Sequence, residues 1–233
     1  MAKTYEAMLR GKESPAASEW NFMDLRSSKQ SSDLEKKIAF YQENQSAGIF
    51  NFAAAGKEEG VSTVIANFAY YITRKKASPN ILLIDANIYH PVLQILFKQP
   101  LTPGLNDLLT KQAALSQAIC KTESDKLSLL PAGSPAQGFS SGFGQEQFME
   151  IVALLRKEYD YILIDSPPLL QSPDALTLAI ASDVTFLVMN ACKTRKEVAE
   201  RSKKLLQEND CLIGGVILNA VQHVIPEWLY NFV

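Results

Sequence analysis

The stretch GIFNFAAAGKEEGVSTVIANFAYYITRKK (residues 48–76) decides the fold. An apolar, aromatic run ends in three alanines, a turn of small and charged residues follows, and an amphipathic segment opens directly out of that turn. The first part reads as a strand. The last reads as a helix closing on Arg74, Lys75 and Lys76, the charge that the negative end of a helix dipole favours. A small-residue turn between strand and helix exposes backbone N–H groups at the positive helix end, the setting a phosphate-binding loop requires. Ala55 and Gly60 hold the small positions of that pattern and Ser62 its hydroxyl, but Val61 stands where the pattern has lysine. A valine donates nothing to phosphate and removes the mobile positive charge on which phosphoryl transfer depends. Lys57 lies four residues earlier; a solvated loop lysine is its plainer reading, and Glu58 and Glu59 add negative charge where phosphate oxygens would crowd. A strand-turn-helix with no ligand is the alternative for the whole stretch.

Working outward, the runs ILLID (81–85), LSLLPAG (127–133), YILID (161–165), VTFLVMN (184–190) and LIGGVILN (212–219) read as strands covered on both faces. Helical patterns over Gln145 to Glu158, Pro173 to Ala181 and Thr194 to Glu208 fall between them. Such alternation predicts an α/β fold, a doubly wound, mostly parallel sheet flanked by helices. Residues 91–122 read as short helical pieces broken by Pro100, Pro103 and Gly104. Residues 1–45, rich in Ser, Lys, Glu and Gln, read as a polar appendage with a short helix from Asp33 to Gln45, and residues 46–233 as a single domain. The loop PAGSPAQGFSSGFG (131–144) carries Phe139 and Phe143, with Phe148 just after it, as anchors or as a docking patch. Trp228 and Tyr230 read as part of a short terminal element.

The 233 residues, 47% hydrophobic, are enough for one sizeable core and marginal for two. A net charge of -2 removes the broad electrostatic case for nucleic-acid binding or a polybasic membrane anchor. The sequence has neither 18 consecutive apolar residues nor an apolar segment near its start, so a cytoplasmic location without membrane insertion of its own is expected. Cys120, Cys192 and Cys211, with only His90 and His223, form neither a disulfide framework nor zinc-type spacing.

In a parallel sheet ligands bind beyond the carboxyl ends of the strands, so the residues after each apolar run carry the chemistry. ILLIDANIYHP places Asp85 at a strand end, where a carboxylate can hold a magnesium-bound water or polarise an acceptor hydroxyl, with Asn87 two residues on. YDYILIDSPP ends in Asp165, which has the setting of the second acidic motif of a P-loop protein. Capping of the following turn is the plain alternative for both acids.

Together with the turn, the motifs IDSPP, IDAN followed by IYHP, LPAG and GVILNAV make the chain resemble the bacterial tyrosine kinases of capsular and exopolysaccharide systems, relatives of the Min-type and Par-type ATPases. The resemblance spans roughly residues 45–221. It implies ATP or ADP with magnesium as cofactor. Ser62 and Asp85 would meet the metal, Asp85 and Asp165 would be the catalytic acids, and Gly60, Ser62, Thr63, Asn219 and, unconventionally, Lys57 would contact nucleotide. Asn219 in particular would meet the adenine. The chain departs from the family at Val61, at Asn87 in place of a second acid, and at Tyr89 in place of a basic residue. No Arg lies between Arg26 and Arg74 to form the ring-assembly motif, and Tyr230 replaces a terminal tyrosine cluster.

These departures remove the catalyst and the substrate of one reaction. The resemblance therefore implies a pseudokinase-like regulator or scaffold of exopolysaccharide polymerisation and export, with nucleotide bound weakly or not at all. Its partner would be the cytoplasmic end of a membrane polysaccharide co-polymerase, or an active kinase paralogue, holding the chain at the periphery of the inner membrane. An active ATP-dependent tyrosine autokinase and a Min-type or Par-type positioning ATPase are the alternatives.

Overall fold

The computed structural model describes residues 26–46, 48–135 and 144–220. Helix α1 (Arg26–Gln45) leads into β1 (Ile49–Ala54), the turn and α2 (Val61–Thr73). Then come β2 (Ile81–Asp85), three short helices α3 (Leu93–Leu96), α4 (Leu105–Leu109) and α5 (Leu115–Ala118), and the hairpin of β3 (Cys120–Lys121) with β4 (Leu127–Leu130). The remainder alternates: α6 (Gln145–Leu155), β5 (Tyr161–Asp165), α7 (Pro173–Ile180), β6 (Val184–Asn190), α8 (Lys196–Glu208) and β7 (Ile213–Asn219). The seven strands line up as β3-β4-β2-β5-β1-β6-β7. Every pairing is parallel except that of the short edge strand β3 with β4. The expected doubly wound α/β fold is therefore present. Because β5 inserts between β1 and β2 while β6 pairs on the other flank of β1, the chain reverses direction around β1, and the end of that strand is where such sheets bind ligands.

The sheet is lined on both sides by apolar residues. One face packs Phe50, Phe52, Phe186 and Val188 under Ile65, Phe68 and Ile72 of α2; the Phe52 and Phe186 rings stack with centroids 5.4 Å apart. The other packs Leu82, Ile84, Ile162 and Ile164 under Phe148, Val152 and Leu155 of α6, and a third cluster joins Leu187 and Met189 to Ala175, Ala179 and Leu206. Continuous burial along β1, β2 and β6 is what a parallel sheet sandwiched by helices demands, and it explains their unbroken apolar runs.

Two expectations are corrected. The N-terminal segment is not an appendage over its described part: α1 is 20 residues long, starts seven residues before Asp33, and buries Leu34 and Ile38 in the core beside α2. Its polar composition hides an apolar stripe of Leu34, Ile38 and Tyr41 at helical spacing. Lys37 donates to the Gly214 carbonyl and the Tyr161 hydroxyl to Gln42, which lays the helix against the lower ends of the strands. The second correction is β7, which is not covered on both faces. It is an edge strand, with Val216 52% exposed, and a bulge opposite Thr185 and Phe186 shifts its register. Gly214 is required there, since a Cβ would lie 2.6 Å from Val184 and 2.7 Å from the Phe186 ring. The aromatic positions Phe139, Phe143, Trp228 and Tyr230 lie outside the described residues, as does most of the Gly-Ser loop.

Candidate functional site

The six parallel strands β4, β2, β5, β1, β6 and β7 end on the same edge of the sheet, and the strand-end residues singled out gather on that edge. Asp85 and Asp165 are register partners on adjacent strands and both are fully buried. Asp85 takes the capping role: its carboxylate accepts hydrogen bonds from the amides of Asn87 (3.2 Å), Val92 (3.1 Å) and Leu93 (3.0 Å), fixing the chain that enters α3. Burial pushes its carboxyl up to about 6, with these three N–H groups opposing the rise. Asp165 has no such donors. Both of its carboxylate oxygens are buried without a hydrogen-bond partner, and burial first, then the charge of Asp85, raise it well above the ordinary carboxylate range. The Ser62 hydroxyl pulls the other way. Capping therefore accounts for Asp85 and not for Asp165.

The turn after β1 takes its shape from Gly60, which stands before α2 with φ 88°, the left-handed region that glycine enters without steric cost. Ser62 is half-buried and Thr63 exposed on the first turn of α2. Val61, at the lysine position of the phosphate-binding pattern, is 8% exposed and belongs to the apolar core. The Lys57 side chain is exposed. The two glutamates do not crowd the turn as their sequence positions suggest. Glu58 turns outward toward Lys193, whose ammonium also donates to the Lys57 carbonyl (3.2 Å). Glu59 turns inward and is only 4% exposed. Its carboxylate accepts from the Ala55 amide (3.2 Å) and from the Thr194 hydroxyl (2.7 Å), and the Asn219 side chain donates to its carbonyl (2.9 Å). Asn219, at the tip of β7, thus lies against the turn rather than apart from it.

Sequence reasoning missed Glu59, Thr194 and Lys193 as parts of this site. Thr194 and Lys193 follow a strand end at the right edge of the sheet, and that position was the available signal. It also missed the hydrogen bond from the Tyr89 hydroxyl to the buried Asp174, which, after burial, holds the phenol up at about 12. At Tyr89, where the resembled family has a cation, this chain has a neutral donor anchored to α7.

The residues present fit the two parts of a magnesium nucleotide unequally. Asp165, a buried carboxyl beside the Ser62 hydroxyl with neither oxygen hydrogen-bonded, would gain a partner from a cation or a bound water, which suits hydrated magnesium. Phosphates would meet the backbone of the turn around Gly60 and no cationic side chain at residue 61. Among the described residues no group of three or more His, Cys, Asp and Glu side chains could hold a metal by themselves. A separate cleft of roughly 240 Å³, lined by Tyr70, Phe97, Thr122 and Leu127 among others, includes none of these residues. No helix among the described residues is long and apolar enough to cross a membrane.

The family model described as an AAA domain matches residues 55–201. The chain is 32% identical over 165 residues to the tyrosine-protein kinase YwqD of Bacillus subtilis, an alignment covering 69% of this chain and 67% of that one. The kinase domain of the Escherichia coli tyrosine kinase ETK superposes with a TM-score of 0.77 at 20% identity, over 85% of this chain and 77% of that one. The septum site-determining protein MinD of Pyrococcus horikoshii, complexed with Mg-ADP, superposes with a TM-score of 0.63 at 22% identity, over 79% and 76% of the two chains. At these identities the two structures attest the fold.

Proposed function

We propose, from the premise that this chain belongs to the bacterial tyrosine-protein kinase family built on a P-loop ATPase domain, that it is a non-catalytic or weakly nucleotide-binding member. It acts as a regulator or scaffold of exopolysaccharide polymerisation and export. The observation that carries this reading is Val61. An apolar side chain packed into the core occupies the position from which a cation would reach phosphate, and Asp165 is left buried without a partner. Phosphoryl transfer relies on fixed positive charge around the transferred group, and a turn without its lysine lacks most of it. The partner in this reading is the cytoplasmic end of a membrane polysaccharide co-polymerase or an active kinase paralogue, and the chain reaches the inner membrane through that partner.

Calorimetric titration of the purified protein with ATP and ADP, with and without magnesium, tests the reading. A dissociation constant above roughly 0.1 mM, binding weaker than about -5.5 kcal/mol, together with no magnesium-dependent autophosphorylation, is the expected result. Micromolar magnesium-dependent binding with turnover would overturn it. A second reading, a working ATP-dependent tyrosine kinase, has one observation in its favour: Ser62, Asp85 and Asp165 converge at the strand ends beside the turn. Under that reading Asp165→Ala and Lys57→Ala would each abolish a measurable activity.

A further inference from the structure

Asn219 has both ends of its side-chain amide engaged. Its nitrogen donates to the Glu59 carbonyl (2.9 Å) and its oxygen accepts from the Ala220 amide (2.9 Å), so donor and acceptor are each matched to a backbone group of fixed polarity. A Cβ on Gly60 would collide with the same amide nitrogen, so the turn and the tip of β7 are packed as closely as a glycine allows. From the other flank Thr194 works in relay: its hydroxyl accepts from the Asn190 amide (3.0 Å) and donates to the Glu59 carboxylate (2.7 Å), which in turn accepts from the Ala55 amide (3.2 Å). The Asn219 carbonyl accepts from Ala191, closing the circuit between the ends of β6 and β7 (2.9 Å). Three strand ends are therefore joined by a hydrogen-bonded circuit whose Ala55, Thr194 and Asn219 arms meet at Glu59.

We propose that Asn219 and Thr194 are positioning residues that hold the Ala55–Gly60 turn in shape from within, without any ligand. Phosphate-binding turns with a lysine gain order from the anion they hold; here the order comes from a buried carboxylate and two polar side chains on neighbouring strand ends. Glu59 is nearly buried, so its bonds to Thr194 and Ala55 lie away from water, where losing one partner leaves the other unsatisfied. The role assigned to Asn219 is internal, toward the turn, and differs from contact with an adenine ring. The inference rests on reading the turn as the site inherited from nucleotide-binding relatives, but its test needs no nucleotide, so the two can fail separately.

The experiment is amide hydrogen exchange, read by mass spectrometry on the ligand-free full chain, for Asn219→Ala, Asn219→Asp, Thr194→Val and Thr194→Ser. The expected result is exchange about tenfold faster across residues 55–61 in the first three variants, the size of effect that loss of one buried hydrogen bond gives. Exchange in β2 and β5 stays at the wild-type rate, and Thr194→Ser, which keeps the hydroxyl, stays at the wild-type rate throughout. Unchanged exchange of the turn in Asn219→Ala and Thr194→Val would overturn the proposal. So would equal acceleration in Thr194→Val and Thr194→Ser, because the hydroxyl would then be irrelevant. If Asn219→Ala accelerates exchange in every segment through general unfolding, the Thr194 pair decides.

Discussion

Asp165 carries a large unmet electrostatic demand: it is fully buried, the Ser62 hydroxyl beside it is the single group that lowers its carboxyl, neither oxygen sits in a formed hydrogen bond, and a second buried carboxylate lies next to it. Both acids have folded-state values raised above the ordinary carboxylate range, so the folded chain holds protons that the unfolded chain releases. The stability this contributes is complete below about pH 4, the unfolded range, and is lost as pH rises through the folded values, about 6 for Asp85 and also raised for Asp165. Without nucleotide or magnesium, Asp165→Asn is therefore expected to raise the melting temperature by roughly 3–6 °C at pH 7.5. It should do much less at pH 5, and calorimetric scans at the two pH values read the difference. An equal effect at both would count against the buried-charge account. The second prediction concerns residue 61. Because Ser62 stands beside Asp165, a lysine one position earlier would bring a cation to the same edge of the sheet. Val61→Lys is expected to tighten ADP binding by about tenfold or more in isothermal titration, the order of one charge-assisted contact. No gain would mean that more than the lysine is missing.

At the scale of elements, α1 shows how much of the structure was legible and where legibility stopped. Strands β1, β2, β5 and β6 could be read directly because burial on both faces leaves their apolar runs unbroken. The turn and α2 could be read from small residues followed by helical periodicity. α1 was read too short and too peripheral, because its apolar core contacts come down to Leu34, Ile38 and the flank of Tyr41, set in a sequence that is mostly polar and charged. The two-residue β3 was missed because its length carries no periodicity at all. Within the site, Asp85 and Asp165 were legible as strand-end acids. The roles of Glu59 and Thr194 were not, since nothing local tells a solvated glutamate from one folded under its own turn. If α1 belongs to the core, Ile38→Ala should cost about 2–4 kcal/mol in urea unfolding, against at most about 0.5 kcal/mol for the exposed Lys36→Ala. Similar small losses at both would return the helix to the status of an appendage.

For the whole molecule, a net charge of -2 with 23 basic and 25 acidic side chains gives no long-range attraction to anionic surfaces. The purified chain alone is accordingly expected not to co-sediment with vesicles rich in anionic lipid at 0.15 M salt. Substantial binding would assign membrane contact to the chain itself rather than to a partner. The doubly wound plan gathers the candidate residues on one edge of the sheet, and β7 reaches that edge at Asn219. Ala220 follows Asn219 in the left-handed region at φ 54°, and its carbonyl accepts from the Cys192 thiol (3.4 Å). Asn219 thus serves as both the last rung of β7 and the strut under the turn. Any displacement of Ala220 is therefore felt first by that strut, and a single side-chain amide ties the tip of β7 to the backbone on which Gly60 turns.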